Sequence, residues 1–454
     1  MPYWTRRKAL GLILLVLIVA CSSAPFKELA SLPGSLRLCE GREHEIRAGI
    51  PFVRVRSGND RVLVVRDTER QTGSNVSLVP MSMGHANLEF SLFGVIPLRR
   101  MEIDVVPPIK VFPGGHSIGV LIHAQGVLVT GLAPVTGLTG TTTYPARDAG
   151  VEVGDMVLEV CGVKVNGDAH IAILVDQCGA NGADVPMLIR KKDGREVRVS
   201  VHPVLCRDSQ RYRIGMWVRD SAAGVGTLTF YNDRGVFGAL GHVITDDETD
   251  RPIDVRDGRI VKATVTGIEE GKKGQPGEKI GVFLEEKDVM GEIRSNSRFG
   301  ITGSLYTIPV NPFFDNPVPI GLASEVHEGP AEIITVVQGQ RLERFAIEIQ
   351  KIIRQARPDS KGMVIRVVDP SLLGRTGGIV QGMSGSPIMQ EGKLVGAITH
   401  VFVNDPTRGY GVFIEWMIAD AGLQLDEGEV GRTDSGPVHL QGQGGRKKLP
   451  SLEG

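Results

Sequence analysis

Charge of one sign, aromatic residues and metal-binding cysteine patterns are all scarce in this chain. Lys+Arg 51 against Asp+Glu 52 leaves a net charge of -1, so no basic field exists to gather nucleic acid. Aromatics make up 5% of 454 residues. No His-Glu-x-x-His occurs, which removes the commonest zinc-protease arrangement. The five cysteines, Cys21, Cys39, Cys161, Cys178 and Cys206, match no zinc spacing and are too scattered for a disulfide scaffold. Buried thiols are their default reading, with a Cys161 to Cys178 bridge open in an exported chain. No metal or organic cofactor is implied. The apolar stretch Ala9 to Ala20 covers 12 residues, short of the about 20 a membrane span needs, and sits behind Arg6, Arg7 and Lys8 in the manner of an export signal.

Glycine is plentiful, at 58 residues, and recurs between short β-branched runs, which favours all-β domains. Length allows about three of them. Five segments follow from composition: an export or lipoprotein signal over 1–21, a β-rich region over 22–110, a second unit over 111–204, a third over 205–428, and a polar tail over 429–454 expected to be disordered. In the first segment Ile18-Val19-Ala20-Cys21 resembles a lipoprotein box, with Cys21 as the lipidated residue. The competing reading is a signal anchor with an incidental cysteine.

Chemistry concentrates in the third unit. Gly382-Met383-Ser384-Gly385-Ser386-Pro387 sets a serine in a tight turn. A serine hydroxyl needs a base to take its proton and paired donors for the oxyanion. The glycines allow the turn, and the amides of Gly382 and Ser384 are the expected donors. The base is His242, in Ala239-Leu240-Gly241-His242-Val243. Each residue alone has an ordinary reading, a Gly-Ser loop and a packed core histidine; together in one all-β unit they read as a serine protease. Asp369, at the end of the run Met363 to Val368, is the expected acid that orients the imidazole, against the alternative that Asp369-Pro370-Ser371-Leu372 starts a helix. Asp405 is the reserve. Asp246, Asp247 and Asp250 read as a solvated turn. An α/β-hydrolase elbow is excluded because Ser386 stands where glycine is required.

Gly-x-Ser-Gly-x-Pro before a hairpin, with Leu-Gly-His at a strand end, resembles chymotrypsin-like proteases and implies paired β-barrels. In the second unit, Pro145-Ala146-Arg147-Asp148-Ala149-Gly150-Val151-Glu152-Val153-Gly154-Asp155 resembles a bacterial PDZ domain. That implies a peptide added as a strand beside the helix carrying Ile171, Leu174 and Val175, with amides of Ser117, Ile118, Gly119 and Val120 donating to its terminal carboxylate. The fold expected is therefore mostly β: a PDZ domain followed by a chymotrypsin-like double β-barrel serine protease domain. The assembly of export segment, PDZ-like unit, Gly241-His242, Asp369 and Thr376 to Ile388 resembles the stage IV sporulation protein B peptidase family. The resemblance implies catalysis by Ser384, His242 and Asp369, trimming of the protein's own N-terminal region, and cleavage of a regulatory membrane partner of an intramembrane metalloprotease. That cleavage would activate a late mother-cell sigma factor. It also implies export into the space between forespore and mother-cell membranes. The rival class is a noncatalytic PDZ scaffold that tethers membrane partners.

Overall fold

The computed structural model describes residues 32–47, 53–67, 75–246, 249–283, 288–353, 355 and 357–423. The export segment with Cys21 and the tail over 429–454 lie outside these residues. Seven strands form an N-terminal sandwich: β1 (Ser35–Cys39), β2 (His44–Arg47), β3 (Val53–Ser57), β4 (Leu63–Asp67), β5 (Asn75–Pro80), β6 (Gly84–Leu92) and β7 (Ile96–Val106). They pair as β1-β7-β6-β3 and β2-β5-β4. Alternation decides the inner faces. In β6, Ala86, Leu88 and Phe90 point inward while their neighbours face out, and they share one core with Leu63, Val76 and Leu78 of the other sheet.

After β8 (Lys110–Pro113), two barrels follow. The first uses β9 (Ser117–Leu132), β13 (Met216–Tyr231), β14 (Val236–Leu240), β15 (Val255–Lys262), β18 (Val289–Ser297) and β19 (Gly300–Leu305). Its pairings run β9-β15-β18-β19-β14-β13, and β13 returns to β9 to close the ring. The hairpin β16 (Thr264–Glu269) and β17 (Glu278–Val282) lies outside it. The second barrel is β20 (Gly329–Val336), β21 (Leu342–Ile352), β22 (Met363–Val367), β23 (Pro387–Gln390), β24 (Lys393–Phe402) and β25 (Asp405–Phe413), closed in the order β20-β21-β22-β25-β24-β23. Numbered along the chain, each ring reads 1-2-3-6-5-4, the order of a chymotrypsin-like double barrel. Each has its own core, around Ile118, Phe237 and Ile301 in one and Ile333, Ile365 and Ile388 in the other. Closure leaves neither ring an open edge.

The expected boundary at residue 204 is corrected by this topology. The first barrel begins with β9, and a smaller unit is inserted between β9 and β13. It contains α1 (Pro145–Asp148), β10 (Met156–Val160), α2 (Asp168–Ala180), β11 (Val185–Arg190) and β12 (Glu196–Val201). Its sheet runs β12-β11-β10-β9. The local readings of the sequence hold here: Gly150 and Gly154 adopt φ of 87° and 88°, and α2 buries Ile171, Leu174 and Val175. Cys161 and Cys178 form a disulfide within this unit.

Ser117, Ile118, Gly119 and Val120 are likewise corrected as a carboxylate-binding loop. They open β9 and pair with Thr227, Gly226, Val225 and Gly224 of β13 on one side, while Ile118 to Val120 pair with β15 on the other. Ser117, Ile118 and Val120 are buried, so no free amide row faces a peptide. A short apolar strand after a glycine-containing turn has the same pattern in either setting, and the barrel's closure decided between them.

Candidate active site

Both expected chemical residues lie where the barrels meet. His242 follows β14, where Leu240 and Gly241 take φ of 71° and 75° and reverse the chain. A side chain at Gly241 would lie 2.9 Å from Thr399 Cγ2 and 3.1 Å from Val412 Cγ1 of the second barrel. Only glycine fits so close an approach. His242 Nδ1 lies 2.9 Å from the Val243 carbonyl, which only accepts, so Nδ1 carries the proton and Nε2 is the free base. Burial lowers the imidazole's pKa from its ordinary value and favours this neutral form. Asn296 of β18 buttresses the segment: its Oδ1 accepts from Ile244 N at 2.8 Å and its Nδ2 donates to Ile244 O at 2.8 Å.

Ser384 sits in the connection from β22 to β23, between Gly382 (φ 88°) and Gly385 (φ 93°). The first barrel grips the carbonyls of this loop. Thr227 N donates to Ser384 O at 3.0 Å, Thr227 Oγ1 to Gly382 O at 2.8 Å, and Thr229 Oγ1 to Gly385 O at 2.8 Å. The remaining carbonyls are held too: Lys279 N donates to Gln381 O and Ser386 N to Met383 O, both at 2.9 Å. In a trans peptide the N–H points opposite its C=O. Pinning Gln381 O and Met383 O therefore aims the Gly382 and Ser384 amides away from the protein interior. Neither amide has an acceptor among the described residues, which leaves a donor pair ready for an oxyanion.

The nucleophile and base converge through shared neighbours. A side chain at Gly385 would lie 2.5 Å from Leu240 N, two residues before His242. Ser384 Oγ donates to Thr399 O at 2.8 Å, and the next residue, His400, has its ring centroid 5.2 Å from that of His242. Burial, His242 and Lys361 together lower the His400 pKa to about 4. The pair is thus neutral near pH 7, with Ser384 Oγ held on a carbonyl until substrate arrives.

Asp369 does not orient His242 here. It is the N-cap of α3 (Pro370–Thr376), accepting from Ser371 N and Leu372 N at 2.9 and 3.1 Å and from Ala346 N at 3.3 Å. The helix-start reading of Asp369-Pro370 describes what forms, because a carboxylate followed by proline suits the first helical turn. Among the described residues no carboxylate pairs with the His242 ring, whose only hydrogen-bond partner is Val243 O. Asp405 is taken by Thr407 Oγ1 at 2.6 Å. Asp246 departs from the solvated-turn expectation: it is buried and pairs with Arg219 at 3.1 Å.

Sequence reasoning missed Lys279. Its side chain is 1% exposed, with Nζ 2.9 Å from Thr335 Oγ1 and 3.5 Å from Thr227 Oγ1. Ser386 Oγ donates to the same Thr335 hydroxyl at 3.0 Å or accepts from it. These groups line the inner side of the serine loop and link both barrels. A lysine in Gly277-Glu278-Lys279-Ile280 carries no sign that it will be buried. Thr227 and Thr229 did carry one, since period-two spacing places them on one face of β13. Cavities of about 200 Å³ beside Arg219 and Arg251, and about 800 Å³ beside Lys262 and Arg341, are lined by neither Ser384 nor His242.

Residues 210–418 match the family model described as SpoIVB peptidase S55. No curated protein matches the chain. Among solved structures, the Rv3671c protease from M. tuberculosis in its active form aligns at 17% identity over 44% of this chain and 75% of its own, with a TM-score of 0.25. Its inactive form aligns at 16% identity over 44% of this chain and 84% of its own, with a TM-score of 0.24.

Proposed function

We propose, from the match of residues 210–418 to the SpoIVB peptidase S55 family model, that the chain is a serine endopeptidase of that family that signals at a membrane surface. The carrying observation is the donor pair of Gly382 and Ser384 beside the nucleophile, with neutral His242 across the same junction. His242 Nε2 removes the Ser384 proton as Oγ attacks the scissile carbonyl. The tetrahedral oxyanion is held by the Gly382 and Ser384 amides, His242 returns the proton to the leaving amine, and water then releases the acyl group by the same path. Ser384 Oγ must first leave Thr399 O, which makes the hydroxyl's rotation part of activation.

The finer assignment rests on the family resemblance: substrates in the chain's own N-terminal region and in a regulatory membrane protein of an intramembrane protease complex, after export between forespore and mother-cell membranes. The inserted unit is the proposed PDZ-type module, built from α1, α2 and the sheet they cover, and it would select peptide termini. The edge it offers them is not Ser117 to Val120.

Full-length wild type and Ser384→Ala incubated with a fluorophosphonate test the reading. Wild type should label at Ser384 and lose N-terminal fragments by intact mass, and the variant should do neither. Wild type that neither labels nor cuts itself or an added membrane partner would sink the catalytic reading in favour of a tethering scaffold.

A further inference from the structure

We propose that the turn between β6 and β7 is a membrane-inserting tip that holds the N-terminal sandwich against an anionic lipid surface. Hairpin turns are ordinarily built from Gly, Asn, Asp, Ser and Pro, because their backbone groups face water. This one reads Leu92-Phe93-Gly94-Val95-Ile96. Phe93 is 59% exposed, Val95 81% and Ile96 54%, so three large apolar side chains project together from the end of the sandwich. Phe93 and Gly94 take φ of 54° and 77°, which makes the turn compact and gives the projection a definite shape.

The surroundings of the tip favour lipid over a protein partner. On the tip-side halves of β3, β6 and β7 stand Arg54, Arg56, Arg99 and Arg100; Glu89, the one acid among the described residues there, pairs with Arg100, and Arg99 is engaged at the chain entry, so Arg54 and Arg56 supply the outward charge. Arg54 and Arg56 face outward, alternating with buried Val53 and Val55, and Arg54 reaches the turn itself, its Cδ lying 3.2 Å from where a Gly94 side chain would start. An apolar tip with a basic collar has the composition of an interfacial anchor, in which the apolar residues enter the headgroup region and the arginines meet anionic lipids.

The path of the chain gives the tip its orientation. β1 runs parallel to β7, Ser35 beside Glu102 and Cys39 beside Val106, so the chain comes into the sandwich from the end where β7 starts, which is the end that carries the tip. Arg99 fixes this by donating to the Leu32 carbonyl. Only residues 21–31 separate Leu32 from the apolar stretch Ala9 to Ala20, and eleven residues reach at most about 40 Å. On the signal-anchor reading, in which this stretch stays in the membrane and on which the inference rests, the tip is the part of the sandwich turned toward the bilayer.

The test uses the full chain with Cys21→Ser and Cys206→Ser, floated with phosphatidylglycerol/phosphatidylethanolamine vesicles and labelled with an environment-sensitive fluorophore at Val95→Cys. Asp60→Cys, in the loop at the far end of the same sandwich, is the control. The expected result is a blue-shifted emission at position 95, quenched by doxyl-labelled lipids, with neither change at position 60 and weaker quenching in phosphatidylcholine vesicles. Flotation with a solvent-like probe at 95 overturns the hairpin alone and leaves the N-terminal stretch as sole anchor. A probe at 95 that is shielded yet unquenched by lipid overturns it in favour of a protein partner. A chain that does not float overturns both readings.

Discussion

Replacing Lys279 with methionine should stabilise the folded chain at neutral and acid pH while impairing the chemistry. The ammonium is enclosed by hydroxyls of Thr335 and Thr227, and burial alone lowers its pKa from 10.5 to about 7. The unfolded chain therefore binds a proton between about pH 7 and 10.5 that the folded chain resists, so stability rises with pH through that window and the full penalty is present below it. At about 1.4 kcal/mol per pH unit, the cost of the buried charge is on the order of 5 kcal/mol at pH 6. Methionine has a similar volume and no charge, and replacing an enclosed ion by an apolar side chain is often stabilising. Denaturant midpoints of wild type and Lys279→Met at pH 6, 8 and 10 measure the difference. The variant should be the more stable at pH 6, with its advantage shrinking toward pH 10. Its kcat per titrated active site should fall about tenfold at unchanged KM, because Thr227 loses the donor that directs its own hydroxyl toward Gly382 O. A variant less stable than wild type at pH 6, or an advantage independent of pH, would refute the buried-charge argument.

Gly385→Ala places a methyl 2.1 Å from Thr227 O at a φ of 93°, so fluorophosphonate labelling should be abolished and thermal unfolding should reveal a loss of about 2 kcal/mol or more; a labelled, fully stable variant would contradict the close approach. Because burial lowers the His242 pKa, the base form persists below pH 6.5, and the labelling rate should rise through a midpoint under that value. A midpoint at or above it would show a group that raises the imidazole's pKa in the working enzyme. Asp369→Ala should cost about 0.5–2 kcal/mol of stability as a lost N-cap and leave the labelling rate per folded molecule unchanged. Asp369→Ala that is stable yet unlabelled would instead give Asp369 the orienting role that the family resemblance implies.

The parts of the molecule legible in the sequence were those fixed by local rules. Ser384 and His242 were readable because glycines at positive φ mark the turns that carry them. The strands Val225 to Tyr231 and Phe345 to Ile349 were readable as strand-like runs bounded by Gly, Pro, Asn or Asp. What escaped depended on which distant strand becomes a neighbour. Ser117 to Val120 have the pattern of a loop-plus-strand, and only ring closure against β13 and β15 buries them. Asp369 satisfied two local patterns at once, strand end and helix cap, and the three amides that reach it chose the cap. Lys279 carries no local signature, since its burial is created by two barrels meeting over it.

β9 and β13 are 16 residues each, and they run from the inserted unit straight into the first barrel. Val127 and Val129 of β9 lie in the insert's core, with Leu132, Met216 and Val218 packed against it, and His123 pairs with Ser221 at the insert's base, so the chain leaves and re-enters the protease at two points one strand spacing apart, about 5 Å. The insert is therefore a graft on a hairpin. Excising 124–220 and joining the stumps with an Asn-Gly turn would restore an ordinary two-stranded ribbon. The same geometry makes the site a natural socket into which another recognition module, with termini equally close, can be spliced without redrawing the catalytic barrels.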